Sequence, residues 1–176
     1  MYVILGRFQP FHKGHQFLIE KALEMGDVTI AIGSSQESWT QSNPWSVEER
    51  EYMIREWLDG RSAKIVHIDD INDPPNWVKH ARVIHGEGTL VTSDLGTHNL
   101  YLQSDYPSIL VELSNRKNLE GWRVRTTLKM LSTINDIEAQ RSVMIESIPE
   151  KVVDWLLEND GLYRLYSISK SIEHAG

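Results

Sequence analysis

Apolar positions along this chain follow two alternating rhythms. Short apolar runs read as buried strands: Tyr2 to Gly6, Asp27 to Ser34 (Val28, Ile30 and Ile32 with small residues between), Lys64 to Ile68, Thr89 to Thr92 and Ser108 to Leu113. Segments with helical spacing lie between them. Phe17, Leu18, Ala22 and Leu23 recur on one face of a predicted helix over 14–26. Ser46 is a good N-cap, with Glu48 and Glu49 in the first turn. The helix that it opens runs to about Leu58 and stops at Asp59-Gly60. The acidic loop from Asp69 to Pro75 leads into a helix around Trp77–Ile84. The last third reads as mainly helical, with Leu128–Ile134, an acidic bridge, and Val152–Leu157 after Ser147 and Pro149. Regular alternation of strand and helix predicts an α/β fold: a parallel sheet with helices on both faces, and a mainly helical C-terminal segment. No repeat, low-complexity tract or linker interrupts it, so residues 1–176 are expected to form one domain.

In such sheets ligands sit at the C-terminal ends of the strands, at the switch point beside the first strand. The residues found there are Gly6-Arg7-Phe8-Gln9-Pro10-Phe11-His12-Lys13-Gly14-His15. A strand, a tight turn and a helix N-terminus form a phosphate-binding geometry, because the first helical turn presents unpaired N–H groups and the positive end of the dipole. Imidazole, guanidinium and ammonium groups surround that end here. The formal charge of the whole chain is −7, which argues against general nucleic-acid binding but leaves room for a local positive pocket. The sequence has no cysteine, so disulfides, zinc thiolate sites and cysteine nucleophiles are excluded. No signal peptide and no apolar run of membrane-spanning length is seen. The expectation is a cytoplasmic protein with no membrane partner.

His12-Lys13-Gly14-His15 resembles the HxGH signature of the nucleotidylyltransferase superfamily. The longer run from Gly6 to His15 resembles the opening of the archaeal-type nicotinamide mononucleotide (NMN) adenylyltransferases. Ile32-Gly33-Ser34-Ser35-Gln36, followed by Asn43-Pro44-Trp45-Ser46 and Glu48-Glu49-Arg50, resembles the family's second-strand loop and next helix start. Asn76-Trp77-Val78-Lys79-His80 resembles its nicotinamide-contacting segment. The match runs through the first half of the chain. Later, Glu120-Gly121-Trp122-Arg123-Val124-Arg125-Thr126-Thr127 stands at the family's Ser-Gly/Ser-Thr-x-Ile/Val-Arg helix start. Gly121, Val124 and Arg125 fit, whereas Glu120 and Trp122 replace two hydroxyl residues. Thr92-Ser93-Asp94-Leu95-Gly96 replaces a glycine-asparagine pair.

The resemblance implies a Rossmann-like nucleotidyltransferase that moves AMP from ATP to NMN, giving NAD and pyrophosphate. It implies His12, His15 and Arg125 as catalytic residues, and Gly6, Arg7, Phe8, Gly14 and Thr126 as further ATP contacts. Ser34, Arg50, Asn76 and Trp77 are implied on the NMN side. Mg²⁺ is expected to arrive with ATP, with no protein metal site, and a homo-oligomer is expected. Two other readings stay open: a related transferase acting on phosphopantetheine or a cytidylyl acceptor, and a non-catalytic nucleotide-binding regulator. Several residues also have plainer readings. Arg50 follows two glutamates and could sit in an ordinary ion-pair network. Trp77 could be a core tryptophan, and Trp45 pocket wall or core. The run Asp69-Asp70-Ile71-Asn72-Asp73 reads as strand and helix capping rather than as a metal site. Arg123, two residues from Arg125, should not share its face on a helix.

Overall fold

The computed structural model describes residues 1–113 and 119–173, with side chains as far as Lys170. Among them, five strands pair in parallel in the order β3-β2-β1-β4-β5. The strands are β1 Tyr2–Gly6, β2 Val28–Ile32, β3 Lys64–His67, β4 Thr89–Thr92 and β5 Ser108–Leu110. The helices are α1 Lys13–Met25, α2 Val47–Leu58, α3 Trp77–His85, α4 Leu95–Gln103, α5 Gly121–Leu131, α6 Ile137–Ser147, α7 Glu150–Glu158 and α8 Gly161–Glu173. The order makes this the expected Rossmann-like sheet. The chain steps outward from β1 to β2 and β3, then crosses back to β4 on the other side of β1. With right-handed crossovers, that reversal puts α1 and α2 on one face and α3 and α4 on the other.

Side-chain alternation builds two cores. Ile4, Val28, Ile30, Ile32 and Val91 face a large cluster shared with α1, α2, α5, α7 and α8. Val3, Ala31 and Leu90 face a smaller one that includes Val78, Ala81, Tyr101 and Tyr106 from the α3 and α4 side. Strand β2 is buried along its whole length, as a central parallel strand must be.

Helix ends follow local chemistry. Ser46 caps α2 by accepting from the Glu49 N–H, while the Glu49 carboxylate accepts from the Ser46 N–H. Asp59, at φ 51°, closes the helix in the left-handed region. Three differences from the expected pattern stand out. Helix α5 starts at Gly121, seven residues ahead of the Leu128 that hydrophobic spacing predicts and at the helix start that the late motif implies, on a buried stripe of Val124, Leu128 and Leu131. The acidic bridge contains α6, whose N-cap Asp136 accepts from the Ala139 N–H. Helix α4 lies where only a connection was expected. No helix among the described residues is long and apolar enough to cross a membrane.

Candidate active site

The loop leaving β1 turns at once. Phe8 takes φ 52°, the Gln9–Pro10 peptide is cis, and the chain enters α1 at His12. The Phe8 and Phe11 rings are wholly buried. Phe8 packs under Gly6, where an added Cβ would lie 3.2 Å from the ring. Phe8 is thus part of the floor, and only its backbone is left to face a nucleotide. The Gln9 amide clamps Trp45, donating to its carbonyl at 2.9 Å and accepting from its N–H at 3.0 Å. That pairing joins the first loop to the loop after β2. Trp45 is fully buried, which settles it as core.

His12 and His15 form a capping box. The Gly14 N–H donates to His12 Nδ1 at 3.2 Å, and the His12 N–H donates to His15 Nδ1 at 3.3 Å. In an ordinary capping box a hydroxyl and a carboxylate do this work. Here both Nδ1 atoms act as acceptors, so each neutral ring carries its proton on Nε2. The rings stack with centroids 3.6 Å apart. His12 is 5% exposed. Burial first, and then the Arg125 guanidinium, push its pKa down to about 4. His15 is pushed well down by burial and by His12. Two charged rings 4 Å apart would repel by about 4 kcal/mol at an effective dielectric of 20, so stacking keeps the pair neutral. The result is two neutral Nε2–H donors at the start of α1. Gly14 permits the packing, because a Cβ there would stand 3.0 Å from His12 Cε1.

The second wall is the start of α5. A Cβ on Gly121 would lie 3.8 Å from His12 Nε2 and 3.4 Å from Arg125 Nη1. The two helix N-termini therefore meet at His12, and Glu120 makes no side-chain cap on α5. Arg125 donates to the Gln9 carbonyl at 2.9 Å. Burial and Arg7 lower its pKa to about 10, so it stays charged at neutral pH. No carboxylate among the described residues contributes to that shift. Arg7 is exposed beside it. A cationic corner without a counter-charge, lined by two N–H-bearing imidazoles and two helix starts, is suited to a polyphosphate.

Arg123 faces elsewhere, as expected. It pairs with Glu120 at 3.2 Å and stacks on Trp122 at 4.5 Å. The Thr126 hydroxyl turns back to the Trp122 carbonyl at 2.9 Å. Arg50 is fully buried. Its guanidinium donates to the Ser46, Arg7, Gly33 and Ser34 carbonyls at 2.8–3.1 Å. In this conformation it ties the ends of β1 and β2 together instead of presenting its charge to a ligand, and burial lowers its pKa to about 10. Ser34, at φ 48°, is held by that contact.

Asn76 and Trp77 occupy the same edge of the sheet but belong to its other layer. Asn76 donates to Asp73 at 2.8 Å. Half-buried Trp77 opens α3 and packs edge-on to Tyr101, at 6.5 Å. No direct contact joins them to His12 among the described residues. The acidic run does local work: Asp69 accepts from the Ser35 hydroxyl, and the Asp70 backbone pairs with the Gln36 amide. Among the described residues no group of three His, Cys, Asp or Glu could hold a metal ion.

Gln9 lies inside the motif, but no local signal links it to Trp45, 36 positions further on. The histidine capping box follows from the His12-Lys13-Gly14-His15 spacing, which sets the two rings at N-cap and N3.

Aligning and neutralising phosphates is the task of nucleotidyl transfer. The chain belongs to the cytidylyltransferase-like family, whose profile matches residues 3–151. Among its relatives, the nicotinamide-nucleotide adenylyltransferases of Thermoplasma acidophilum, Picrophilus torridus and Methanococcus vannielii are 30%, 32% and 34% identical to it. These matches cover 97%, 97% and 92% of this chain and 92%, 98% and 91% of the relatives. A solved bifunctional NMN adenylyltransferase/ADP ribose pyrophosphatase from Francisella tularensis, complexed with AMP and a manganese ion, shares the fold. Its TM-score is 0.70 at 21% identity, over 98% of this chain and 53% of that one. The chain thus spans about half of that structure's length.

Proposed function

We infer that the protein is a nicotinamide-nucleotide adenylyltransferase of NAD biosynthesis, acting as one domain. It transfers AMP from ATP to NMN, releasing pyrophosphate. The observation that carries this reading is the corner where α1 and α5 begin, with two Nε2–H imidazoles and Arg125. A phosphate oxygen of NMN attacks the α-phosphorus of ATP, and the bond to the bridging oxygen of the β-phosphate breaks with its electron pair. No proton has to be removed from an ionised phosphate, so no nucleophilic side chain or strong base is required. The protein has to align two polyanions and stabilise the charge that builds on the oxygens in flight.

His12 and His15 do this as neutral donors already fixed by their Nδ1 contacts. Arg125 holds the polyphosphate, assisted by Arg7 and by the backbone of Gly6, Phe8 and Gly14. Thr126 lies one residue beyond Arg125 on the same helix. Ser34 and the Asn76-Trp77 pair form the NMN side, the indole stacking on the nicotinamide ring and the amide pairing with its carboxamide. Arg50 serves that side by fixing the Ser34 loop. The histidines and cations at this corner do not suit a resident divalent ion, so Mg²⁺ is part of the substrate as Mg·ATP.

The test is pyrophosphate release from Mg·ATP with a panel of NMN, nicotinate mononucleotide, phosphopantetheine and phosphocholine. Release with NMN, matched by NAD, supports the reading. Release only with phosphopantetheine or phosphocholine refutes it.

A further inference from the structure

The smaller core, away from the phosphate corner, holds a polar cluster that the transfer chemistry does not use. His85, the last residue of α3, is wholly buried, as is Tyr101 of α4. His85 Nδ1–H donates to the Gly86 carbonyl at 2.8 Å. Burial lowers the pKa of this ring, so it is neutral and its Nε2 is an acceptor. The Tyr101 hydroxyl donates to that Nε2 at 3.1 Å. Buried Tyr106 donates to the same Gly86 carbonyl at 2.9 Å and meets the Tyr101 ring edge-on, with centroids 5.2 Å apart. Both imidazole nitrogens and both hydroxyls are therefore satisfied. Aromatic and aliphatic side chains alone would fill this space; a fully paired buried network also fixes one arrangement of its members.

That arrangement reaches Trp77. The Tyr101 ring is 5.9 Å from the His85 ring and 6.5 Å from the Trp77 indole. These two residues stand at opposite ends of α3, about 12 Å apart along its axis, so one tyrosine spans the helix. The chain leading into α3 does not fix the indole. Residues Ile71 to Asn76 are exposed, and the N-cap Asn76 makes no side-chain cap on the helix. Among the described residues, Tyr101 is the aromatic ring against which the indole packs. We propose that Tyr101, locked by its hydrogen bond to His85, is a positioning residue for the Trp77 indole and sets the affinity for NMN without touching it. The inference rests on the adenylyltransferase reading and on Trp77 as the nicotinamide contact.

The test is steady-state NAD formation and calorimetric NMN titration of the wild-type protein, Tyr101→Phe, Tyr101→Leu, Trp77→Ala and the double variant Trp77→Ala/Tyr101→Phe. Tyr101→Phe keeps the ring and loses the bond to His85, and should raise KM and Kd for NMN about threefold. Tyr101→Leu loses the ring as well and should raise them about tenfold. In both variants KM for Mg·ATP and kcat at saturating NMN should stay within about twofold. On the Trp77→Ala background Tyr101→Phe should have no further effect, because Tyr101 acts through the indole. Unchanged NMN affinity in Tyr101→Phe, equal losses for NMN and Mg·ATP, or the same loss with the indole absent would overturn the proposal. Wild-type NMN affinity in Trp77→Ala would instead overturn the nicotinamide contact beneath it, and wild-type protein that forms no NAD would overturn the adenylyltransferase reading.

Discussion

Gly14→Ala is the smallest change that should disable the site while leaving the fold in place. The new Cβ would stand 3.0 Å from His12 Cε1, 3.1 Å from His12 Nδ1 and 3.3 Å from the Leu119 Cβ. Nothing in the backbone itself objects to alanine, and helix propensity favours it by up to about 1 kcal/mol. Against this stand about 1–3 kcal/mol for overpacking and about 1 kcal/mol for a weakened cap, since Gly14 N–H donates to the ring that must move. The net loss of stability is about 1–3 kcal/mol, or about 3–10 °C in Tm for a chain of this size. The effect on turnover should be larger. The His12 ring has to give by some tenths of an ångström, which swings Nε2–H away from the reacting phosphate. Misplacing or losing one preorganised donor costs about 10²–10³ in kcat. Steady-state NAD formation and a thermal melt on the same preparation measure both quantities. A folded Gly14→Ala protein with kcat within about twofold of wild type would refute the placement of His12 at the reacting atoms.

Other substitutions separate the remaining roles. His15→Ala should raise the barrier by about 2.7–4 kcal/mol with little change in NMN affinity, as read from kcat and from NMN titration. Trp77→Ala should weaken NMN binding and leave ATP binding near normal; unchanged NMN affinity would return Trp77 to a purely packing role. Burial holds the folded pKa of His12 near 4, below the unfolded value of about 6.5, so the unfolded state binds more protons between these values. The associated stability is complete above about pH 6.5 and is lost as pH falls toward 4, by about 3 kcal/mol for this residue. His12→Asn keeps a capping acceptor and removes the titration. Urea midpoints should therefore fall less steeply with acid in the variant than in wild type; parallel profiles would contradict the buried neutral ring.

The strands and the capped helices were legible because their signals are local. Thr89–Thr92 is found as expected, and Ser46 and Asp59 bound α2 through chemistry within a few residues of each end. Helix α4 was not legible. Its apolar residues Leu95, Leu100 and Leu102 are exposed and Tyr101 is its buried member, so no stripe marks a face. Helix α6 hid for the same reason: Ile137, Val143 and Ile145 point outward while Met144 is buried. At the site, His12, His15 and Arg125 were found because motif and spacing place them. The engagement of Arg50 with four carbonyls was invisible: Ser46 is one turn away, but Arg7, Gly33 and Ser34 come from the connections after β1 and β2, whose ends only the folded sheet brings together.

A structure of the complex with NMN and a non-hydrolysable ATP analogue tests most directly where the triphosphate and NMN meet. The predicted result places the α-phosphate within hydrogen-bond reach of the Nε2 atoms of His12 and His15. It places the β- and γ-phosphates along Arg125, and the nicotinamide on Trp77. Phosphates gripped by Arg123 on the far side of α5, or a nucleotide seated away from the start of α1, would contradict it.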